Sequence, residues 1–162
     1  MKLLIDGNNL IYKFPHLEKF MYEKSMAGAR EGLIQLMADY RSHVKNPDEI
    51  LVFFDGRKNS DLNLLQEEID EIHVYYSHAD SADDLIKHYI KMSPVLSDLA
   101  VVTSDKDILF YAKRFKVKSY TSEQFAAQIT EKLNSAETDK TDGAEVKLDK
   151  QEISFWKKFM KL

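Results

Sequence analysis

Cysteine is absent from this chain of 162 residues, which excludes disulfides, zinc–thiolate centres and thiol nucleophiles. The same absence fits a reducing compartment. No apolar run approaches the roughly 20 residues that a membrane-spanning helix requires. The first residues read as entering a strand directly, without a basic-then-apolar signal pattern, so a cytoplasmic protein with no membrane partner is expected. Positive charge is not in excess either: the formal net charge is −4, which argues against a histone-like binder. Three phosphate and acyl-transfer signatures are also missing. There is no G-x-G-x-x-G after the first strand, no G-x-x-x-x-G-K-[ST], and no G-x-S-x-G. A phosphoaspartate enzyme would place a second carboxylate two residues after the first, and Asn8 holds that position.

Hydrophobic residues make up 44% of the chain and charged residues 31%, an ordinary globular balance that suits one domain with a sizeable core. Five short segments rich in Val, Ile, Leu, Tyr or Phe read as strands: Lys2–Ile5, Ile50–Phe54, Glu71–Tyr76, Leu99–Thr103 and Val117–Tyr120. Apolar residues at helical spacing separate them, in Ser25–His43, in a shorter helix over Asp61–Asp70, and around Leu85–Ile90, Ile108–Tyr111 and Phe125–Leu133. Repeated strand–helix alternation implies an α/β fold, a mainly parallel five-stranded sheet flanked by helices on both faces. The domain is expected to span 1–133. Residues 134–148 read as a flexible linker, and 149–162 as an amphipathic helix with Ile153, Trp156, Phe159 and Met160 on one face. That helix either packs back on the domain or docks a partner.

The organising stretch is Lys2–Asn9, KLLIDGNN. Its apolar run ends at Asp6, where Gly7 allows a tight turn and Asn8 and Asn9 add amides. The second strand ends likewise at Asp55-Gly56. Ser81 and Asp84 have the spacing of a helix cap, which explains Asp84 and leaves Asp83 without a structural reason. Ser104 and Asp107 repeat that spacing and leave Asp105 unexplained. Asp6, Asp55, Asp83 and Asp105 therefore follow four different strands, and a parallel sheet gathers them at its carboxyl edge. Clustered carboxylates repel unless protonated or bridged by a cation. Oxygen ligands suit Mg²⁺ or Mn²⁺, which would activate water and offset charge on a phosphate. His73, His78 and His88 show no zinc-ligand pattern. The competing explanation is four separate helix caps.

These residues resemble the PIN-like NYN-domain nucleases, and within them the YacP-like group. The resemblance rests on Ile5-Asp6-Gly7-x-Asn9-Leu10-Ile11, Val52-Phe53-Phe54-Asp55, Ser81-Ala82-Asp83 and Val101-Val102-Thr103-Ser104-Asp105, in that order from residue 2 to about 133. A Rossmann-like three-layer PIN/NYN domain is implied, as is a metal-dependent endoribonuclease acting on RNA, with members linked to ribosomes and mRNA decay. Carried over by position, Asp6, Asp83 and Asp105 would bind Mg²⁺ or Mn²⁺. Asn9 would orient water or substrate, and Asp55 would support, as would Asp84 and Ser104. Asn8 departs from the aromatic common in the group, and Asp84 beside Asp83 leaves two candidates for one ligand position, of which Asp83 is favoured.

Arg57, Lys58 and Lys106 lie just beyond strand ends, where they either contact phosphate or are plain solvated surface. Tyr12 and Phe14 either stack on a base or pack in the core. Two rival readings stand beside the nuclease: an inactive RNA- or ribosome-binding module, and a metal-dependent phosphatase for small substrates. A deep closed pocket would favour the phosphatase, and an open acidic notch with basic flanks would favour RNA.

Overall fold

The computed structural model describes residues 1–56 and 66–140. Its strands are β1 (Lys2–Asp6), β2 (Glu49–Phe54), β3 (Gln66–Ile69), β4 (Ile72–Tyr76), β5 (Leu99–Val102) and β6 (Lys118–Tyr120). The α-helices are α1 (Gly7–Ile11), α2 (Pro15–Glu23), α3 (Met26–Ser42), α4 (Ala82–Met92), α5 (Lys106–Arg114) and α6 (Ser122–Lys140). The strands form one sheet in the order β3-β4-β2-β1-β5-β6. Every pairing is parallel except that of β3 with β4.

The side-chain period of two sorts each central strand onto two cores. Leu3, Ile5, Ile50, Val52, Phe54, Val74 and Val102 face one core, built with residues of α1, α2, α3 and α6. Leu4, Leu51, Phe53, Leu99 and Val101 face the other, which α4 and α5 cover with Ile86, Ile90, Ile108 and Ala112. Covering both faces explains the continuous apolar runs and makes the three-layer arrangement. Chain order reverses at β1, which lies between β2 and β5. The crevice at such a reversal, beyond the carboxyl ends of the strands, is where open α/β sheets hold ligands.

Among the described residues the sheet has six strands where five were expected. The difference falls at Asp61–Asp70: residues 61–65 lie outside the described residues, and Gln66–Ile69 is an antiparallel edge strand instead of helix. It reaches β4 through Asp70 and Glu71, at φ 50° and 68°, the paired left-handed conformation of a tight hairpin turn. Gly7 starts α1 instead of making a turn. It is needed there for closeness, because a Cβ would lie 2.4 Å from Cε1 of the buried Phe54 ring and 2.9 Å from Val52. Helix α2, unforeseen in the sequence, opens on Pro15 at its first position. Helix α6 continues past Leu133 to Lys140, and the expected terminal helix at 149–162 lies outside the described residues.

Candidate active site at the carboxyl edge of the sheet

Asp6 is the last residue of β1 and only 8% exposed. It stands at the N-cap position of α1, where its carboxylate makes no close capping hydrogen bond. Burial raises its carboxyl to a pKa of about 6, and the Asp55 and Asp105 carboxylates add to the rise. The Thr103 hydroxyl and the Asn9 N–H oppose it. Thr103 Oγ1 donates to Asp6 Oδ2 at 3.0 Å and accepts from the Asp105 N–H at 3.0 Å, so one buried hydroxyl connects two of the acids.

Asp105 is the N-cap of α5: its Oδ1 accepts from the N–H groups of Asp107 at 2.8 Å and Ile108 at 3.4 Å. This corrects the expectation that Ser104 caps the helix. Ser104 turns the other way, accepting from the Ser122 N–H at 3.0 Å and donating to Glu123 Oε2 at 2.6 Å. Lys13 holds Glu123 from the opposite side at 2.7 Å. Together these bonds pull the Glu123 carboxyl down to a pKa of about 2.

Asp83 sits in the first turn of α4, behind the Ser81 cap, whose hydroxyl accepts from the Asp84 N–H at 3.0 Å. Asp84 is exposed, whereas Asp83 is half-buried. Asp83 Oδ1 is buried and has no hydrogen-bond partner. Its Oδ2 lies 3.4 Å from Lys87 Nζ, one turn on, and Lys87 also reaches Asp107 at 2.5 Å. Burial first, then Asp105, raises the Asp83 carboxyl; Lys87 opposes the rise. The carboxylates of Asp6 and Asp83 thus both feel Asp105, and the three expected ligands converge on one edge.

Asn9 and Asp55 join elements. Asn9 Oδ1 accepts from the Ser104 N–H at 2.9 Å and the Ser122 hydroxyl at 2.6 Å, tying α1 to the segments that follow β5 and β6. Asp55 Oδ1 accepts from the Ala82 N–H at 2.7 Å, fixing β2 to the start of α4, and its own N–H donates to Asn8 Oδ1 at 3.1 Å. The buried Arg30 donates to the Asp55 carbonyl and lies 5.2 Å from the centre of the Phe54 ring. Lys106 is exposed at the first turn of α5, while Arg57 and Lys58 lie outside the described residues. Tyr12 is 45% exposed, and Phe14 is in the core.

Sequence reasoning missed Thr103, Lys87, Arg30 and Ser122. Lys87 was the most findable, standing four residues after Asp83 on one helix. Among the described residues no three acids or histidines close a metal site unaided. The donors nevertheless fit a hard cation that keeps most of its water, as Mg²⁺ does. All are carboxylate oxygens, and Asp83 Oδ1 is an unsatisfied buried acceptor, which costs free energy until a donor or cation meets it. One cleft, of about 800 Å³, is lined by Lys13, Glu123 and α6; another, of about 610 Å³, runs beside β6. Neither is lined by Asp6, Asp83 or Asp105.

A parallel sheet that delivers acids to its carboxyl edge from successive strand ends is the arrangement of a PIN-like, nuclease-type domain. Residues 3–161 match the YacP-like NYN domain family, and the chain belongs to that family. NYN domains are related to PIN-like nucleases. The chain is 33% identical over 107 residues to the uncharacterized protein YacP of Bacillus subtilis (strain 168), a match covering 64% of this chain and 59% of that protein. The fold is shared with the crystal structure of Rae1 (YacP) from Bacillus subtilis, at a TM-score of 0.69 and 21% identity over 98% of this chain and 93% of that one. A single-residue mutant of the same protein gives a TM-score of 0.67 at 22% identity over 88% and 85%. Among the described residues no helix is long and apolar enough to cross a membrane.

Proposed function

We propose that this chain is a metal-dependent endoribonuclease that hydrolyses RNA phosphodiesters at the Asp6–Asp83–Asp105 edge, with mRNA associated with ribosomes as its substrate. The observation that carries the proposal is the unpartnered, buried Asp83 Oδ1, on a carboxyl that burial and Asp105 raise, at the sheet edge where burial also raises Asp6 to about 6 and Asp105 adds to the rise. Asp6, Asp83 and Asp105 would hold Mg²⁺ or Mn²⁺, which supplies Lewis acidity toward phosphate and lowers the pKa of bound water. The protein's own groups do the rest. Thr103 fixes Asp6 Oδ2, holding the carboxylate in place at the end of β1. Asn9 ties α1 to the segments that follow β5 and β6, and Asp55 holds the α4 terminus that carries Asp83.

The second reading is an RNA- or ribosome-binding module without turnover. It draws on Lys87, which already supplies a cation to Asp83 and Asp107. Supplying an mRNA either free or on translating ribosomes, with Mn²⁺, separates the possibilities. Cleavage only on ribosomes supports the ribosome-associated nuclease, and equal cleavage of free RNA removes the ribosome from the account. Silence on both substrates supports the binding module.

A further inference from the structure

Five cations stand together on α5 and the chain that follows it: Lys106, Lys113, Arg114, Lys116 and Lys118, all exposed. Among the described residues none of them pairs with a carboxylate. The acids nearby are matched elsewhere, Asp107 by Lys87 at 2.5 Å and Glu123 by Lys13 at 2.7 Å. On a chain of net charge −4, this leaves a local positive strip.

Helical spacing aligns the strip. Lys106, Phe110 and Lys113 or Arg114 follow at intervals of three or four, so they share one face of α5. Phe110 is 65% exposed on that face, where an aromatic ring has no core to fill. From Lys106, beside the acid Asp105, the face runs about 12 Å to Arg114 at the usual helical rise. Lys113 then joins the cleft of about 610 Å³, which Lys116, Lys118, Ser119, Thr121 and Gln124 also line and to which no acidic side chain contributes.

Lys116 adds a separate observation. It lies at φ 57°, just past the Phe115 C-cap of α5, where its N–H bonds to the Lys113 carbonyl at 3.0 Å and the Val117 N–H bonds to the Ala112 carbonyl at 2.8 Å. That pair of bonds defines a helix stop whose left-handed residue is ordinarily glycine. A lysine there is held against its backbone preference. Guarding the edge of the sheet would account for Lys118, but for neither Phe110 nor a lysine at this turn.

We propose that the α5 face and the β6 cleft form the track along which a single RNA strand leaves the acidic edge, with lysines on its phosphates and Phe110 stacked on a base. The proposal rests on the RNA reading of the active site. Alternating cations and an exposed ring suit a strand that offers both phosphates and unpaired bases.

The test is binding of a fluorescein-labelled single-stranded RNA in EDTA across a salt series, with Mn²⁺-dependent cleavage of the same RNA run in parallel. Lys116→Gly is expected to melt no lower than the wild type yet bind more weakly. Removing the three cleft lysines (Lys113→Gln, Lys116→Gly, Lys118→Gln) is expected to flatten the log–log salt slope by about 2, at roughly 0.7 per phosphate contact. Phe110→Ala is expected to lose about fivefold or more in affinity with the slope unchanged. Wild-type slope and affinity in all these variants would overturn the track while leaving the nuclease reading intact. A wild-type protein that does not bind the RNA would overturn the track, and the nuclease reading would fall with it only if cutting were absent on translating ribosomes as well.

Discussion

The Thr103 hydroxyl joins Asp6 to Asp105: it donates to the carboxylate at the end of β1 and accepts from the N–H that follows β5. Because Thr103 is fully buried, no water replaces it at either partner. Thr103→Val keeps the shape and removes both bonds. The expected result is a loss of about 1–3 kcal/mol in denaturant-measured stability. The Asp6 carboxyl should also titrate above its wild-type value of about 6 in an NMR titration, since the hydroxyl is the stronger of the two groups that hold it down.

The raised pKa of Asp6 sets a pH dependence. The folded value, about 6, exceeds the ordinary value of 3.8, so the folded state binds this proton more tightly than the unfolded chain. In metal-free buffer the group therefore weakens the fold above pH 6, and that penalty disappears as pH falls from about 6 toward 4. At about 1.4 kcal/mol per pH unit the full effect is roughly 3 kcal/mol. Asp6→Asn is expected to be more stable than wild type at pH 7.5 in EDTA, with the advantage shrinking toward pH 4. Melting curves at a series of pH values check this.

Gly7 stands against Phe54 and Val52 with no space for a methyl group. Gly7→Ala is expected to lower stability by about 1–3 kcal/mol through overpacking. Since α1 carries Asn9 two residues on, the displacement should also reduce cleavage. Denaturation and activity measured on the same preparation test both effects.

Lys87 supplies positive charge between Asp83 and Asp107. Lys87→Met keeps the stem and removes the charge, so the Asp83 carboxyl should titrate higher still. Without the lysine the acids depend more on an added cation. Mn²⁺ is therefore expected to raise the melting temperature of Lys87→Met more than that of the wild type, as calorimetry with and without the ion would show.

The sheet was legible because its three central strands are short apolar runs soon followed by an acid: Ile5-Asp6, Phe54-Asp55 and the Val102-Thr103-Ser104-Asp105 segment. Topology then brings these ends together. Edge strand β3 was not legible. Gln66–Ile69 is mostly polar, and Leu62, Leu65 and Ile69 fall at helical spacing, while the hairpin turn at Asp70-Glu71 lacks the glycine that usually marks it. Ser81 declared its role as a cap through spacing alone. Ser104 had the same spacing and was misleading, since Asp105, one residue on, competes for the cap with a charged oxygen and wins. Thr103 and Ser122 could not be found by pattern, because their partners lie 97 and 113 residues away.

The account's central claim is that the acids at this edge cut RNA with the help of a divalent ion. Cleavage of a labelled single-stranded RNA, supplied free and on ribosomes, tests it directly with Mn²⁺, Mg²⁺ or EDTA, comparing wild type with Asp6→Asn and Asp83→Asn after each is shown to be folded. The account predicts internal cuts by the wild type with either metal, none in EDTA, and none from either variant. Cutting that persists in EDTA, or survives both substitutions, would contradict it.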